Sequence, residues 1–203
     1  MKMKNRSDII NLIIRHYNFM TYLEVGVWIP QHNYDKIIAP IKESVDPRLD
    51  YKYTYNMTSD SFFKNHVGDK MYDVIFIDGL HTEEQSYTDA KNSLDHLNDG
   101  GYIIMHDCNP TEEWHARENE EDDAPGPAWT GTVYKSFMHL KNDFRNYSCF
   151  VIDEDWGCGI ITKRPILENI GGKYNPNISW KEFHENRIDL LQLTSYDKFL
   201  NIL

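Results

Sequence analysis

The sequence predicts an α/β fold built on a mostly parallel sheet, and three observations carry that prediction. Short apolar runs alternate with helical patterns from Met20 to Asp107. Runs such as "YDVIFIDG" are almost continuously apolar, as strands covered on both faces are. Each run stops at a glycine or an acidic residue before the next helix, the punctuation of βαβ units with right-handed crossovers.

Taken in order, Ser7 is the expected N-cap of a helix from about Asp8 to Tyr17, with Ile9, Ile10, Ile13 and Ile14 on one face. "MTYLEVGV" (20–27) is a strand, "HNYDKIIA" a helix, and "IKESVDP" (41–47) a second strand stopped by Pro47. "TSDSFFKNH" (58–66) opens with capping residues and reads as a short helix. "YDVIFIDG" is the next strand, and Thr82 caps a helix with Glu83 and Glu84 in its first turn, where carboxylates suit the helix dipole. Gly100-Gly101 lead into "YIIMHD".

Residues 108–130 break the rhythm as an acidic insertion, rich in Pro and Gly near its end. Insertions of this length are lids or solvated loops; Trp114 and Trp129 at its ends favour a lid. "TGTVYKSFMHLKNDF" is a helix, "YSCFVID" and "WGCGIITKR" form a closing hairpin, and the tail from about Ser179 is helical. Trp156 is expected in the core or turn of that hairpin.

With 203 residues, 40% hydrophobic and 26% charged, the chain reads as one globular domain. Residues 1–19 form the N-terminal helix, 20–163 the α/β core with its lid at 108–130, and 164–203 a C-terminal helical extension. A net charge of -11 argues against nucleic acid as a partner. No apolar run reaches a membrane span, and the basic N-terminus reads as an amphipathic helix, not a signal peptide. Cys108, Cys149 and Cys158 have no zinc-type or paired spacing, which suits free thiols in the cytoplasm. The sequence leaves open whether the chain forms a homo-oligomer.

Ligands of open α/β sheets sit beyond the carboxyl ends of the strands. Glu24, Gly26, Asp46, Asp78, His106 and Asp107 stand at such ends, and should converge although they lie far apart in sequence. Acidic strand ends suit a ligand with hydroxyls and positive charge, and Asp46 could accept hydrogen bonds from a ribose. No G-x-G-x-x-G follows the first strand, which argues against a dinucleotide dehydrogenase.

The ordered set "YLEVGV", "SVDP", "TSDSFF", "YDVIFIDGLHTEEQSYTDAKNSLDHLNDGGYIIMHDCNP" and "GTVYKSF" resembles the class I S-adenosylmethionine-dependent methyltransferases, in the small-molecule O-methyltransferase branch called methyltransferase family 24. The resemblance spans about residues 20–163. It implies a Rossmann-like, doubly wound sheet of seven strands in the order 3-2-1-4-5-7-6, the last antiparallel, with helices on both faces. It places Glu24 and Gly26 at the methionine part of S-adenosylmethionine, Asp46 at the ribose, Ser59 and Asp60 near the adenine, and Asp78 beside the transferred methyl. It makes Asp78 and Asp107 ligands of Mg²⁺, and His81 a general base. His106 stands where an acid is common, and a mixed His/Asp set would suit Mn²⁺ or Fe²⁺ better than Mg²⁺.

Plain structural roles compete with these. Asp78 could cap the helix near Thr82, His81 could be a helix-entry residue, Asp46 could shape a turn before Pro47, and His106 could support the site or ligate. The expected reaction is methyl transfer to a hydroxyl of a small molecule, such as a sugar or glycan precursor, with Mg²⁺ or Mn²⁺ assistance an option. Two alternatives stand beside it. One is a degenerate Rossmann-like binding protein, since "EVGVWIPQHNYDKI" puts Trp28, Ile29 and Pro30 where glycines are usual. The other is a metal-dependent hydroxylase or hydrolase using His81, His106 and Asp107.

Overall fold

The computed structural model describes residues 4–170 and 174–203. Six strands form one sheet: β1 (Thr21–Val25), β2 (Ile41–Val45), β3 (Tyr72–Ile77), β4 (Leu97–Met105), β5 (Ser148–Ile152) and β6 (Cys158–Thr162). Their order is β2-β1-β3-β4-β6-β5. β2, β1, β3 and β4 run parallel, while β6 is antiparallel to β4 and to β5. The Rossmann-like class holds; the sheet has six strands where seven are expected.

The difference has a simple cause. A parallel crossover needs a dozen or more residues in addition to its strand. Between Val45 and the helix at Ser59 the chain has no room for both. What remains of the outer strand is a single parallel bridge from Tyr55 to Val45.

Side chains alternate across the sheet. Leu23, Val25, Ile75, Ile77, Ile103 and Met105 face one apolar layer, and Tyr22, Val74, Phe76, Tyr102 and Ile104 face the other. The first layer is closed by α2 (Ser59–Asn65), α3 (Glu83–Asp95), α4 (Val133–Asp143) and α5 (Trp180–Leu191) through Phe62, Ala90, Phe137 and Phe183. The second is closed by α1 (Arg6–Tyr17) and α6 (Tyr196–Ile202) through Ile9, Ile10, Ile13, Ile14 and Phe199. The tail therefore contributes to both layers. It is also tied by Lys141, whose buried ammonium donates to Gln192 Oε1 at 2.9 Å and Asn169 Oδ1 at 3.3 Å.

Two local expectations are corrected. The cap of α1 is Asn5, whose side chain accepts from Asp8 N at 3.0 Å while Asp8 accepts from Asn5 N at 3.1 Å. Ser7 lies inside the helix and donates to Asn33 Oδ1 at 2.7 Å. "HNYDKIIA" forms no α-helix but two 3-10 turns, Pro30–His32 and Tyr34–Lys36, separated at Asn33. Asn33 is held out of helical geometry by the polar contacts of its buried side chain with Tyr22 and Glu24.

The strands end level with one another. Val25 pairs with Val45 and with Ile77, and Ile77 with Met105. The next residue of each strand continues the ladder: Gly26 N donates to Val45 O, Asp78 N to Val25 O, and His106 N to Ile77 O, at 2.9, 2.8 and 3.0 Å. Asp46, Gly26, Asp78 and His106 thus stand in a row at the carboxyl edge.

Candidate active site

A cavity of about 530 Å³ opens over that row. Glu24, Asp78, His81, His106 and Asp107 line it together with Arg6, Asn33 and Arg48. Its size falls in the range of small-molecule pockets. Asp46 does not line it, although Val27, Trp28 and Arg48, whose backbone amides donate to Asp46, do; Ser59 and Asp60 also lie outside it, where both accept from the amide of Gln85.

At the β1 and β2 tips the polar groups are satisfied by the protein itself. Tyr22 Oη donates to Glu24 Oε2 at 2.5 Å and Asn33 Nδ2 to the same oxygen at 2.9 Å. Burial pushes the Glu24 carboxyl up to about 8, with those donors and Arg6 opposing. Asp46 Oδ2 accepts from Val27 N and Trp28 N, both at 2.8 Å, and Oδ1 from Arg48 N at 2.9 Å. These bonds hold Trp28 in a left-handed conformation at φ 50°. Gly26, at φ 80°, is required by packing: a Cβ there would lie 2.3 Å from Asp78 O and Gly79 Cα.

The β3 and β4 tips differ. Asp78 Oδ1 lies 3.4 Å from His81 Nε2 and 3.3 Å from His106 Nδ1; Asp107 Oδ2 lies 3.3 and 3.1 Å from the same nitrogens. Asp78, His81 and Asp107 each offer a ligand atom within 4.8 Å of the others. His106 is 3% exposed, yet neither ring nitrogen has a hydrogen-bond partner. Asp107 adopts a left-handed φ of 59°, a conformation that costs a non-glycine residue about 1–2 kcal/mol and that concentrates at functional sites.

Burial alone would raise the Asp78 carboxyl, but His106, His81 and Arg6 outweigh it and hold it well below the usual carboxylate range. Burial would likewise lower both imidazoles; Asp78 and Asp107 prevail and raise His81, and with Asp155 raise His106 strongly. The site therefore draws positive charge.

Several of these residues have no signal in the linear sequence. The first turn of α1 carries Arg6, whose Nη1 donates to Asp78 Oδ2 at 2.5 Å and whose Nε donates to Asp155 Oδ2 at 3.0 Å. Asp155 sits in the β5–β6 turn at φ 48°, with its Oδ1 3.7 Å from His106 Nε2. Trp156, expected in the hairpin core or turn, is 40% exposed and lines the cavity. The left-handed stretch Asp155-Trp156-Gly157 would have been a local signal only with its backbone angles in hand.

Part of the insertion folds over the site. Glu120 and residues 127–130 line the cavity. Trp129 stands with its ring centroid 5.0 Å from that of His81, and its carbonyl oxygen is 3.1 Å from His81 Nδ1. Gly131 closes on the backbone of His81 so tightly that a Cβ would lie 1.9 Å from His81 O. Trp114 packs on His115 away from the cavity, so of the two tryptophans of the insertion only Trp129 lines it.

A row of acidic strand ends beneath a cavity, on this strand order, defines a Rossmann-like α/β domain with a ligand site at its carboxyl edge. Residues 14–108, just under half of the chain, match methyltransferase family 24, described as a methyltransferase domain. No curated protein matches the chain. Among solved structures, a candidate caffeoyl-CoA O-methyltransferase from Staphylococcus aureus is 20% identical, with TM-score 0.52 over 76% of this chain and 81% of its own. The O-methyltransferase from Bacillus cereus, solved with S-adenosylhomocysteine, is 12% identical, with TM-score 0.52 over 76% and 79%. TomG from Streptomyces achromogenes, an O-methyltransferase of tomaymycin synthesis solved with S-adenosylmethionine, is 9% identical, with TM-score 0.54 over 76% and 77%. At these identities the likeness is one of fold. No helix among the described residues is long and apolar enough to cross a membrane.

Proposed function

We propose that the chain transfers a methyl group from S-adenosylmethionine to a hydroxyl of a small molecule, with a divalent cation assisting. The observation that carries this reading is the convergence of Glu24, Asp78, His81, His106 and Asp107 on one cavity at the carboxyl edge. S-adenosylmethionine supplies a methyl already activated on a sulfonium, so the protein's task is alignment. Glu24, close to the Asp78 tip, is the expected partner of the methionine end, and its Oε1 accepts no hydrogen bond from the described residues. The ribose place fits less well, because both oxygens of Asp46 are taken by backbone amides.

The donor set fits a cation: two carboxylate oxygens and two ring nitrogens face one another within 3.1–3.4 Å, and one of the histidines is buried without a hydrogen bond. A divalent ion held there would lower the pKa of an acceptor hydroxyl. Arg6 and Asp155 fix the orientation of Asp78 and flank His106. Trp28, Trp129 and Trp156 border a polar cavity, an arrangement suited to a sugar ring or similar polyol. The lid residues over His81 exclude water from the transfer path.

Calorimetry with S-adenosylmethionine, followed by a radiolabelled methyl-transfer screen against sugars and catechols with Mn²⁺ or Mg²⁺, tests the reading. Binding and metal-dependent transfer are expected. The engaged Asp46 favours one rival, a binding protein without catalysis; no heat and no thermal shift with S-adenosylmethionine would establish that rival.

A further inference from the structure

We infer that His81 is a ligand of a divalent cation shared with Asp78 and Asp107, in place of the proton acceptor that the resemblance makes it. The inference rests on the metal-assisted reading and sharpens it.

The tautomer comes first. His81 Nδ1 lies 3.1 Å from the carbonyl oxygen of Trp129, which can only accept. Nδ1 therefore carries the proton, and in the neutral ring the lone pair is on Nε2. That lone pair faces Asp78 Oδ1 at 3.4 Å and Asp107 Oδ2 at 3.3 Å. Both distances are long for a charged hydrogen bond, which closes to about 2.7–2.9 Å. Two anionic oxygens facing that nitrogen call for positive charge between them, a proton when the site is empty and a cation when it is filled.

The surroundings repeat the demand. His106 Nδ1 approaches the same two oxygens at 3.3 and 3.1 Å, and this buried ring makes no hydrogen bond. Bonds of about 2.1 Å to a common ion would space neighbouring ligand atoms by about 3.0–3.4 Å. The four nitrogen–oxygen separations here run from 3.1 to 3.4 Å. Charge agrees as well. With both imidazoles neutral, as ligation requires, Asp78, Asp107 and Asp155 meet one guanidinium, Arg6, and the cluster keeps an excess of negative charge. Arg6 occupies Asp78 Oδ2, so Oδ1 alone is turned to the histidines.

Two further points follow from the donor types. Imidazole with carboxylate suits Mn²⁺, Fe²⁺ or Co²⁺ better than Mg²⁺, which prefers oxygen alone. The Trp129 carbonyl acts as the group that orients a ligating histidine through its other nitrogen, a common device at metal centres. The lid thereby takes part in holding the ion.

The test uses the full chain. Mn²⁺ affinity is measured by calorimetry and the visible spectrum of the Co²⁺-loaded protein is recorded, for wild type, His81→Gln and His106→Gln, with folding checked by circular dichroism. Wild type is expected to bind both ions. H81Q is expected to lose roughly tenfold or more in Mn²⁺ affinity, with an altered Co²⁺ spectrum. Unchanged affinity and spectrum in H81Q would overturn the ligand role while leaving metal assistance intact. Failure of wild type to bind either ion would overturn both, and S-adenosylmethionine binding, measured separately, would then show whether the methyl-transfer reading survives. Should H81Q not fold, ¹⁵N-histidine spectra of the wild-type protein titrated with Zn²⁺ decide: a shift of the His81 Nε2 resonance supports the inference, and an unmoved resonance refutes it.

Discussion

The two halves of the sheet's carboxyl edge carry similar residues and treat them differently. At the β1 and β2 tips, Glu24 and Asp46 are buried; Tyr22 and Asn33 both donate to one oxygen of Glu24, and three backbone amides engage both oxygens of Asp46. At the β3 and β4 tips, Asp78, His81, His106 and Asp107 face one another at separations too long for strong hydrogen bonds, and His106 has none. Buried polar groups are normally satisfied, because leaving one unpaired costs about 1–3 kcal/mol. An edge that meets this rule at Asp46 and breaks it at His106 separates its roles: the β2 tip is architecture, Glu24 keeps one oxygen towards the cavity, and the β3 and β4 tips are built for something that arrives.

The sharpest way to break this contrast is Asp107→Asn. Asparagine tolerates the left-handed backbone at this position, so the fold should persist while methyl transfer falls by ~10³-fold. Asp107→Ala should lose as much activity and a further ~1–2 kcal/mol of stability. Equal melting temperatures for the two variants would remove the backbone argument.

A second prediction concerns pH. The Glu24 carboxyl is raised from 4.5 to about 8 in the folded chain, chiefly by burial. Below 4.5 it is protonated in both states. As pH rises above that value, the unfolded chain loses the proton while the folded chain keeps it, so stability declines at about 1.4 kcal/mol per pH unit until folded Glu24 ionises. Glu24→Gln should remove this decline in urea titrations between pH 5 and 8 (~three pH units). A decline that persists in E24Q would assign it elsewhere.

Asp46→Ala is expected to destabilise by about 1–3 kcal/mol, because three backbone amides lose their acceptor. If Asp46→Asn instead keeps the melting temperature and loses S-adenosylmethionine affinity, the β2 tip is a binding element and the contrast fails. The smallest expected effect separates the two tryptophans of the insertion. Trp129→Ala should raise the acceptor KM by roughly tenfold, consistent with loss of one buried aromatic contact of ~1.4 kcal/mol, and Trp114→Ala should leave it near wild type. Equal effects would show that the insertion acts as a whole.

Much of the fold was legible because its signals are local. The apolar runs at β1, β2, β3 and β4 and the caps Thr58 and Thr82 are short-range patterns. The missing outer strand was not legible from a resemblance that assumes it; the length of the link between Val45 and Ser59 decides it. Within the site, Asp78, His81, His106 and Asp107 were visible because each stands at or just beyond the end of an apolar run. Arg6 and Asp155 were not, since a basic residue in a first helical turn and an acid in a hairpin turn are ordinary surface features until folding brings them together 149 positions apart.

Periodicity and capping act over a few residues, so the linear chain specifies most of the strands and helices and the acids that end the strands; it does not specify "HNYDKIIA", where buried contacts of Asn33 prevent a helix. Which of those acids remain available is settled by long-range packing. That choice depends on partners from distant elements: backbone amides that engage Asp46, a tyrosine and an asparagine that engage Glu24, and two histidines that face Asp78 and Asp107 without completing a hydrogen bond.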